Sequence, residues 1–286
     1  MNFSSVGQSV EHAFINDRTI QINGLRLHYL ESGSPGARSL VFLHGIARVA
    51  RTFEPLIRHY SQKFHVFALD MRGHGDSEWH AEEKYRVEDY TEEVEAFIKA
   101  LQLKNIILWG ASTGGRVAQM IGGRQPDNVS AVVVEDVGPE RPIAVSNRRA
   151  ERMSREANGW PTRQAMMAQL KVENPRTPDA TLEHLANFAT RKRDDGCFVW
   201  KRDPAILKGF VPTELWQTIR LIRAPLMYVL GGASKIVPET TQQEILQALP
   251  HAKIVSMPGL GHYPSDEDPQ GFIDIVDRFL THSNLI

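Results

Sequence analysis

The first periodic signal along the chain is an alternation of apolar and polar residues. Thr19-Ile20-Gln21-Ile22 and Leu25-Arg26-Leu27-His28-Tyr29-Leu30 both alternate, and Asn23-Gly24 joins them. Asn-Gly suits a two-residue type I′ turn, whose central positions both need positive φ, so the spacing predicts a β-hairpin. Beyond a Gly/Ser/Pro loop at residues 33–36 the pattern changes to short unbroken apolar runs. These are Leu40-Val41-Phe42-Leu43, Val66-Phe67-Ala68-Leu69, Ile106-Ile107-Leu108-Trp109, Val132-Val133-Val134 and Leu226-Met227-Tyr228-Val229-Leu230. Such runs, bounded by turn residues, fit strands covered on both faces, as in a parallel sheet. Between them lie helix-period segments: residues 87–101, 115–125, 242–249 and 272–280. Strands alternating with helices predict βαβ units and an α/β fold.

The rhythm breaks at residues 139–212. No buried-strand run occurs there, and charge is dense, as in Arg191-Lys192-Arg193-Asp194-Asp195. A mostly helical insertion of this kind predicts a lid over the sheet. The expected organisation is a core of residues 1–138 and 213–286 with a helical cap at 139–212.

Composition narrows the function. The 33 Lys+Arg balance 34 Asp+Glu, whereas a dedicated nucleic-acid binder carries a basic excess. Apolar residues at 42% and charged residues at 23% exclude disorder. The lone Cys197 excludes an intramolecular disulfide and a cysteine-based metal site. No apolar stretch is long enough for a membrane span, and Glu11, His12, Asp17 and Arg18 interrupt any signal-peptide core. The expectation is a cytoplasmic protein acting on a small molecule, with no metal, cofactor, nucleic acid or membrane partner. A homodimer is left open.

The sharpest chemical signal is Gly110-Ala111-Ser112-Thr113-Gly114, directly after one predicted strand and before a helix. The bare pattern arises by chance about 0.1 times in a chain this long, so its context carries the weight. A tight strand-to-helix turn strains the Ser and sets its Oγ at a helix N-terminus, where negative charge is favoured. A free hydroxyl is a weak nucleophile and needs a base. His262, in the glycine-flanked loop Gly259-Leu260-Gly261-His262, is the candidate. His44 and His74 have blander readings as structural residues of their loops.

With these motifs in hand, the chain resembles the α/β-hydrolase fold superfamily. His44-Gly45 matches the oxyanion loop, and Asp70-Met71-Arg72-Gly73-His74-Gly75-Asp76-Ser77 matches the D-x-R-G-x-G-x-S loop. Residues 110–114 match the nucleophile elbow and residues 259–262 the catalytic-histidine loop. The resemblance implies a mostly parallel eight-stranded sheet with helices on both faces. It also implies Ser112 as nucleophile, His262 as base, and the N–H groups of Ile46 and Thr113 as the oxyanion hole.

One position departs from the family. Where members commonly carry the acid that orients the His, this chain reads Gly231-Gly232-Ala233-Ser234-Lys235-Ile236-Val237-Pro238, with Ser234 at the acid's place. The chain is similar to branches that carry the acid after the strand following the nucleophile helix, among them cofactor-independent dioxygenases, lactonases and a hydrolase of a succinate derivative. That resemblance implies Asp136, in Val134-Glu135-Asp136-Val137, with Glu135 as rival. Neighbours on a strand point to opposite faces, so only one should reach His262. Ser234 is then a bystander whose loss should be silent.

Substrate-binding candidates are Arg152, beside Arg148 and Arg155, as a clamp for a substrate carboxylate, together with Tyr263 and Trp200. Trp160, Met166, Met167, Phe188 and Phe198 read as lid core. The expected function is a serine hydrolase cleaving an ester, lactone, amide or activated C–C bond of a small, carboxylate-bearing substrate through an acyl-enzyme. Two alternatives use the same scaffold: a cofactor-independent heteroaromatic-ring dioxygenase and a slow-turnover ligand-sensing module.

Overall fold

A computed structural model of the chain describes residues 14–125, 127–140, 156, 158–207 and 213–286. Strands β1 (Asn16–Ile22) and β2 (Leu25–Ser32) form the predicted hairpin, with Ile22 opposite Leu25. Asn23 and Gly24 have φ of 49° and 82°, the two positive values a type I′ turn demands. The further core strands are β3 (Ser39–Leu43), β4 (His65–Leu69), β5 (Ile106–Ala111), β6 (Val129–Glu135), β9 (Leu226–Gly231) and β10 (Lys253–Met257). They join the hairpin in one eight-stranded sheet, ordered β1-β2-β4-β3-β5-β6-β9-β10. Pairing is antiparallel from β1 to β4 and parallel from there onward.

The unbroken apolar runs are explained by two cores. Alternate residues of each central strand serve opposite faces: Val41, Leu43, Leu108, Val132 and Val134 on one, Phe42, Ile107, Trp109, Ala131 and Val133 on the other. Helices α2 (Val87–Ala100) and α3 (Thr113–Arg124) cover the first face through Val94, Phe97, Val117 and Ile121. On the second face, α1 (Glu54–Tyr60) contributes Leu56 and Ile57, and the C-terminal helix Pro269–His282 contributes Phe272, Val276 and Phe279. Among the described residues no helix is long and apolar enough to cross a membrane.

The inserted region has its own small core. Helices α4 (Arg163–Glu173) and α5 (Asp179–Phe188) bury Met166, Leu170 and Leu182 with Trp160 and Trp200. Beside these helices, β7 (Thr190–Lys192) and β8 (Phe198–Trp200) form a short antiparallel hairpin that the mostly helical pattern did not predict. Three residues per strand are too few for a period-2 pattern to register, although Asp195-Gly196 was a turn signal. This region is stitched to the 70–77 loop: the Gly75 N–H donates to Lys201 O at 2.8 Å, and the Asp203 N–H to Gly73 O at 2.7 Å. Gly75 has no alternative, since at φ 55° a Cβ there would lie 2.1 Å from the Asp70 carboxylate.

Candidate active site

The carboxyl ends of the parallel strands converge on one place. Parallel β5 and β6 pair Ala111 with Glu135, so the next residues, Ser112 and Asp136, leave the sheet at the same level. Both adopt left-handed backbone, φ 51° and 44°, which non-glycine residues rarely hold without cause. At Ser112 the chain turns straight into α3, and the glycines around it make that turn feasible. A Cβ on Gly110 would meet Gly114 O at 2.1 Å, and one on Gly114 would meet Leu43 O at 2.0 Å. The elbow is further held by the Ser112 N–H, which donates to Glu135 O at 3.0 Å.

His262 comes from the loop after β10, and its ring bridges the two strained residues. Nε2 lies 3.0 Å from Ser112 Oγ and Nδ1 lies 2.8 Å from Asp136 Oδ2. A carboxylate can only accept, so Nδ1 carries the proton and Nε2 is left to accept from the serine hydroxyl. The Asp136 side chain is 1% exposed and His262 25% exposed, so the carboxyl is sealed from solvent while the imidazole stays partly open to it. Of the two rival acids, Asp136 therefore meets His262. Glu135 turns to the opposite side and accepts the Ser265 N–H at 2.9 Å. Burial raises the Glu135 carboxyl from 4.5 to about 8, with Asp266 and Asp136 adding to the rise against the Ser265 bond.

Ser234 is not a bystander. Its hydroxyl donates at 2.5 Å to Asp136 Oδ2, the same oxygen that faces His262, while the Gly231 N–H donates to Oδ1 at 3.0 Å. The β9 exit can come this close because Gly231 has no side chain; a Cβ there would lie 1.7 Å from Gly261 O. Serine at the acid's usual place was visible in the sequence, but only the displaced carboxylate gives its hydroxyl something to hold.

The loop after β3 lies against the elbow. A Cβ on Gly45 would lie 3.1 Å from Ser112 Cβ and 2.6 Å from Tyr263 Oη, which puts this backbone and the phenol beside the serine. Thr113 is the first residue of α3, where N–H groups lack an intrahelical partner. Ile46 follows Gly45 directly. His44 Nε2 accepts the Met71 N–H at 3.0 Å, so its proton sits on Nδ1 and points at Gly45 O. Burial holds His44 and, more strongly, His74 below the usual imidazole range, which suits both to structural roles as neutral rings. Trp200 stands edge-on to Trp160 at 5.6 Å, in a cluster that continues onto Ala47 and Val49. Arg148, Arg152 and Arg155 lie outside the described residues.

Sequence reasoning missed the pair Arg48 and Asp266, joined at 2.7 Å and nearly sealed from solvent. Residues 218 positions apart give no local signal of their pairing. One group with metal-ligand chemistry occurs among the described residues: His28, Asp70 and Asp76. There His28 is already committed to Asp70 at 2.7 Å and Asp17 at 2.9 Å, and Asp70 also receives the Ala50 and Asp76 N–H groups. It ties β2 to the 70–77 loop.

An eight-stranded sheet with an elbow serine, a loop histidine and a buried acid at its carboxyl ends defines a class. The model of the alpha/beta hydrolase family matches residues 40–275, and the chain belongs to that family and is a hydrolase. It is 26% identical over 265 residues to 2-(acetamidomethylene)succinate hydrolase of Mesorhizobium japonicum, covering 92% of this chain and 94% of that one. It is 25% identical over 274 residues to N-formylmaleamate deformylase of Pseudomonas putida, covering 94% and 98%. The crystal structure of E-2-(acetamidomethylene)succinate hydrolase superposes with a TM-score of 0.84 at 25% identity, covering 94% of this chain and 100% of that one.

Proposed function

We propose that the protein is a cytoplasmic serine hydrolase that cleaves an ester, lactone, amide or activated C–C bond of a small molecule through an acyl-enzyme. Ser112 attacks the carbonyl, and His262 accepts its proton and later delivers it to the leaving group. Asp136 keeps the proton on Nδ1 and stabilises the imidazolium. The Ile46 and Thr113 N–H groups receive the negative charge that develops on the carbonyl oxygen. Such donors act in the transition state, and losing one costs about 10²- to 10³-fold in kcat. Water then releases the acyl group by the same path in reverse.

The observation that carries this reading is the bond path from Ser112 Oγ through His262 to Asp136, at 3.0 and 2.8 Å, starting from a helix N-terminus. For the substrate we propose a carboxylate-bearing molecule held under a cap of residues 139–212, with Arg152 as clamp and with Tyr263 and Trp200 lining the approach. Relatives named for a succinate derivative and a maleamate support that class.

The test is labelling with a fluorophosphonate followed by mass mapping, together with Ser112→Ala. The adduct is expected on Ser112, and the variant is expected to lose hydrolysis while keeping its fold. Turnover of Ser112→Ala within tenfold of wild type would overturn covalent catalysis and bring the oxygenase chemistry forward.

A further inference from the structure

The two loops that bring Ile46 and His262 to Ser112 are far apart in the chain, and one buried side-chain pair joins them. On the first loop, the Gly114 N–H donates to His44 O at 3.1 Å and the Arg48 N–H donates back to Gly45 O at 3.0 Å. Both contacts lie to the sides of Ile46. The Arg48 side chain then leaves the loop. Its Nε and Nη2 donate to Asp266 Oδ2 at 2.8 and 2.7 Å, its Nη1 to Ala47 O at 3.0 Å, and its Cζ lies over the Tyr263 ring, 3.9 Å from the ring centre. Asp266 belongs to the short helix Pro264–Glu267, and its N–H donates to Tyr263 O at 3.0 Å. The guanidinium is thus a junction between the backbone that carries Ile46, the ring next to His262, and the turn that follows it.

Both side chains are nearly sealed, at 6% and 4% exposure. A buried ion pair is weak evidence for stability, because apolar residues of similar volume often serve the fold as well. What a planar guanidinium adds is fixed direction, through several donors and a stacked ring. The place where direction matters here is the first loop, since hydrogen-bond donors act on the transition state only if they are held in position beforehand.

We propose that Arg48 and Asp266 are positioning residues that hold the Ile46 N–H in register with Ser112 and His262 for transition-state binding. This rests on the serine-hydrolase reading above. Neither residue touches the reacting atoms; each acts through the loop it anchors.

The test uses the full-length protein and the double variant Arg48→Met/Asp266→Leu, which replaces the pair with apolar volume, alongside Arg48→Lys, which keeps the charge without the planar fork. Hydrolysis of p-nitrophenyl acetate and inhibition by phenylboronic acid, which forms a tetrahedral adduct on an activated serine, are measured for each. In the double variant kcat is expected to fall about 10- to 100-fold, short of losing a donor outright. KM should stay within about twofold, and boronate affinity should fall in parallel with kcat. Arg48→Lys should lie between it and wild type, which keeps the proposal testable if the double variant does not fold. Unchanged kcat, or a fall in kcat with boronate affinity intact, would overturn the positioning role. Fluorophosphonate labelling of wild-type Ser112 separates this failure from that of the hydrolase reading, because absence of that adduct would sink both.

Discussion

Neighbouring strands β6 and β9 leave the sheet side by side and in opposite chemical styles. β6 runs into two carboxylic acids, Glu135 and Asp136, whereas β9 runs into two glycines followed by the hydroxyl of Ser234. Both exits meet at a single atom, Asp136 Oδ2, which takes bonds from His262 at 2.8 Å and Ser234 at 2.5 Å. The imidazole meets its carboxylate at the β6 exit, and the β9 exit brings a hydroxyl to the same oxygen. What matters to the imidazole is where a carboxylate oxygen stands, and the exit without an acid contributes by donating to that oxygen. The two acids of the β6 exit also differ sharply. Asp136 accepts three hydrogen bonds, whereas Glu135 is buried with one carboxyl oxygen unpaired among the described residues, and burial pushes its carboxyl up to about 8.

Removing the charge from the β6 exit should produce the largest effect. Asp136→Asn keeps the shape, loses the ion and permits the wrong ring tautomer; the comparable change in a serine protease lowers kcat about 10⁴-fold. A fall of at least about 10²-fold is expected from steady-state kinetics, with folding unaffected by circular dichroism. A loss below tenfold would mean that His262 does not read this carboxylate at all.

A smaller effect belongs to the β9 exit. Ser234→Ala removes one donor from a charged acceptor, worth about 1.5–3 kcal/mol when fully made and less at a part-buried site. We expect kcat to drop about three- to tenfold. The cause is positional: Asp136 Oδ2 loses one of the two bonds that fix it opposite His262 Nδ1, and steady-state kinetics read the loss. An unchanged kcat would show that the hydroxyl only fills space.

Least effect on activity is expected at Glu135, where the readout is stability. Its carboxyl titrates at about 8 when folded and near 4.5 when free, so the folded state binds the extra proton. That advantage is complete below about pH 4.5 and is lost as pH rises towards 8. Glu135→Gln cannot ionise, so its melting temperature should match wild type near pH 5 and exceed it near pH 8. Parallel curves across that range would place the titrating proton elsewhere.

The sheet was legible from the chain because its cause is local. Two-sided burial forces unbroken apolar runs, and Asn23-Gly24 carries its turn geometry in its own residues. Ser112 and His262 were legible for the same reason, since each sits in a glycine-flanked turn whose backbone demands show in the sequence. Asp136 needed more: the pattern offered two adjacent acids, the alternation of a strand end allows only one to face His262, and the family resemblance pointed to Asp136. Ser234 and the Arg48–Asp266 pair were not legible, because their partners are 98 and 218 residues away. A contact of that kind depends on the closed fold and leaves no periodicity behind. The β7–β8 hairpin failed on length alone.

The left-handed backbone at Asp136 narrows the mutational routes by which this site could change. At φ 44° an ordinary L-residue bears a penalty of about 1–2 kcal/mol, which aspartate, asparagine and glycine are best able to reduce. Most replacements there would lose the charge and strain the turn in the same step, so the fold itself resists them. Asparagine and glycine are the exceptions for the backbone, although glycine would also leave the Gly231 N–H and the Ser234 hydroxyl without this acceptor. Among the residues this turn accepts most readily, aspartate alone brings a carboxylate to His262, so position 136 has little room to vary.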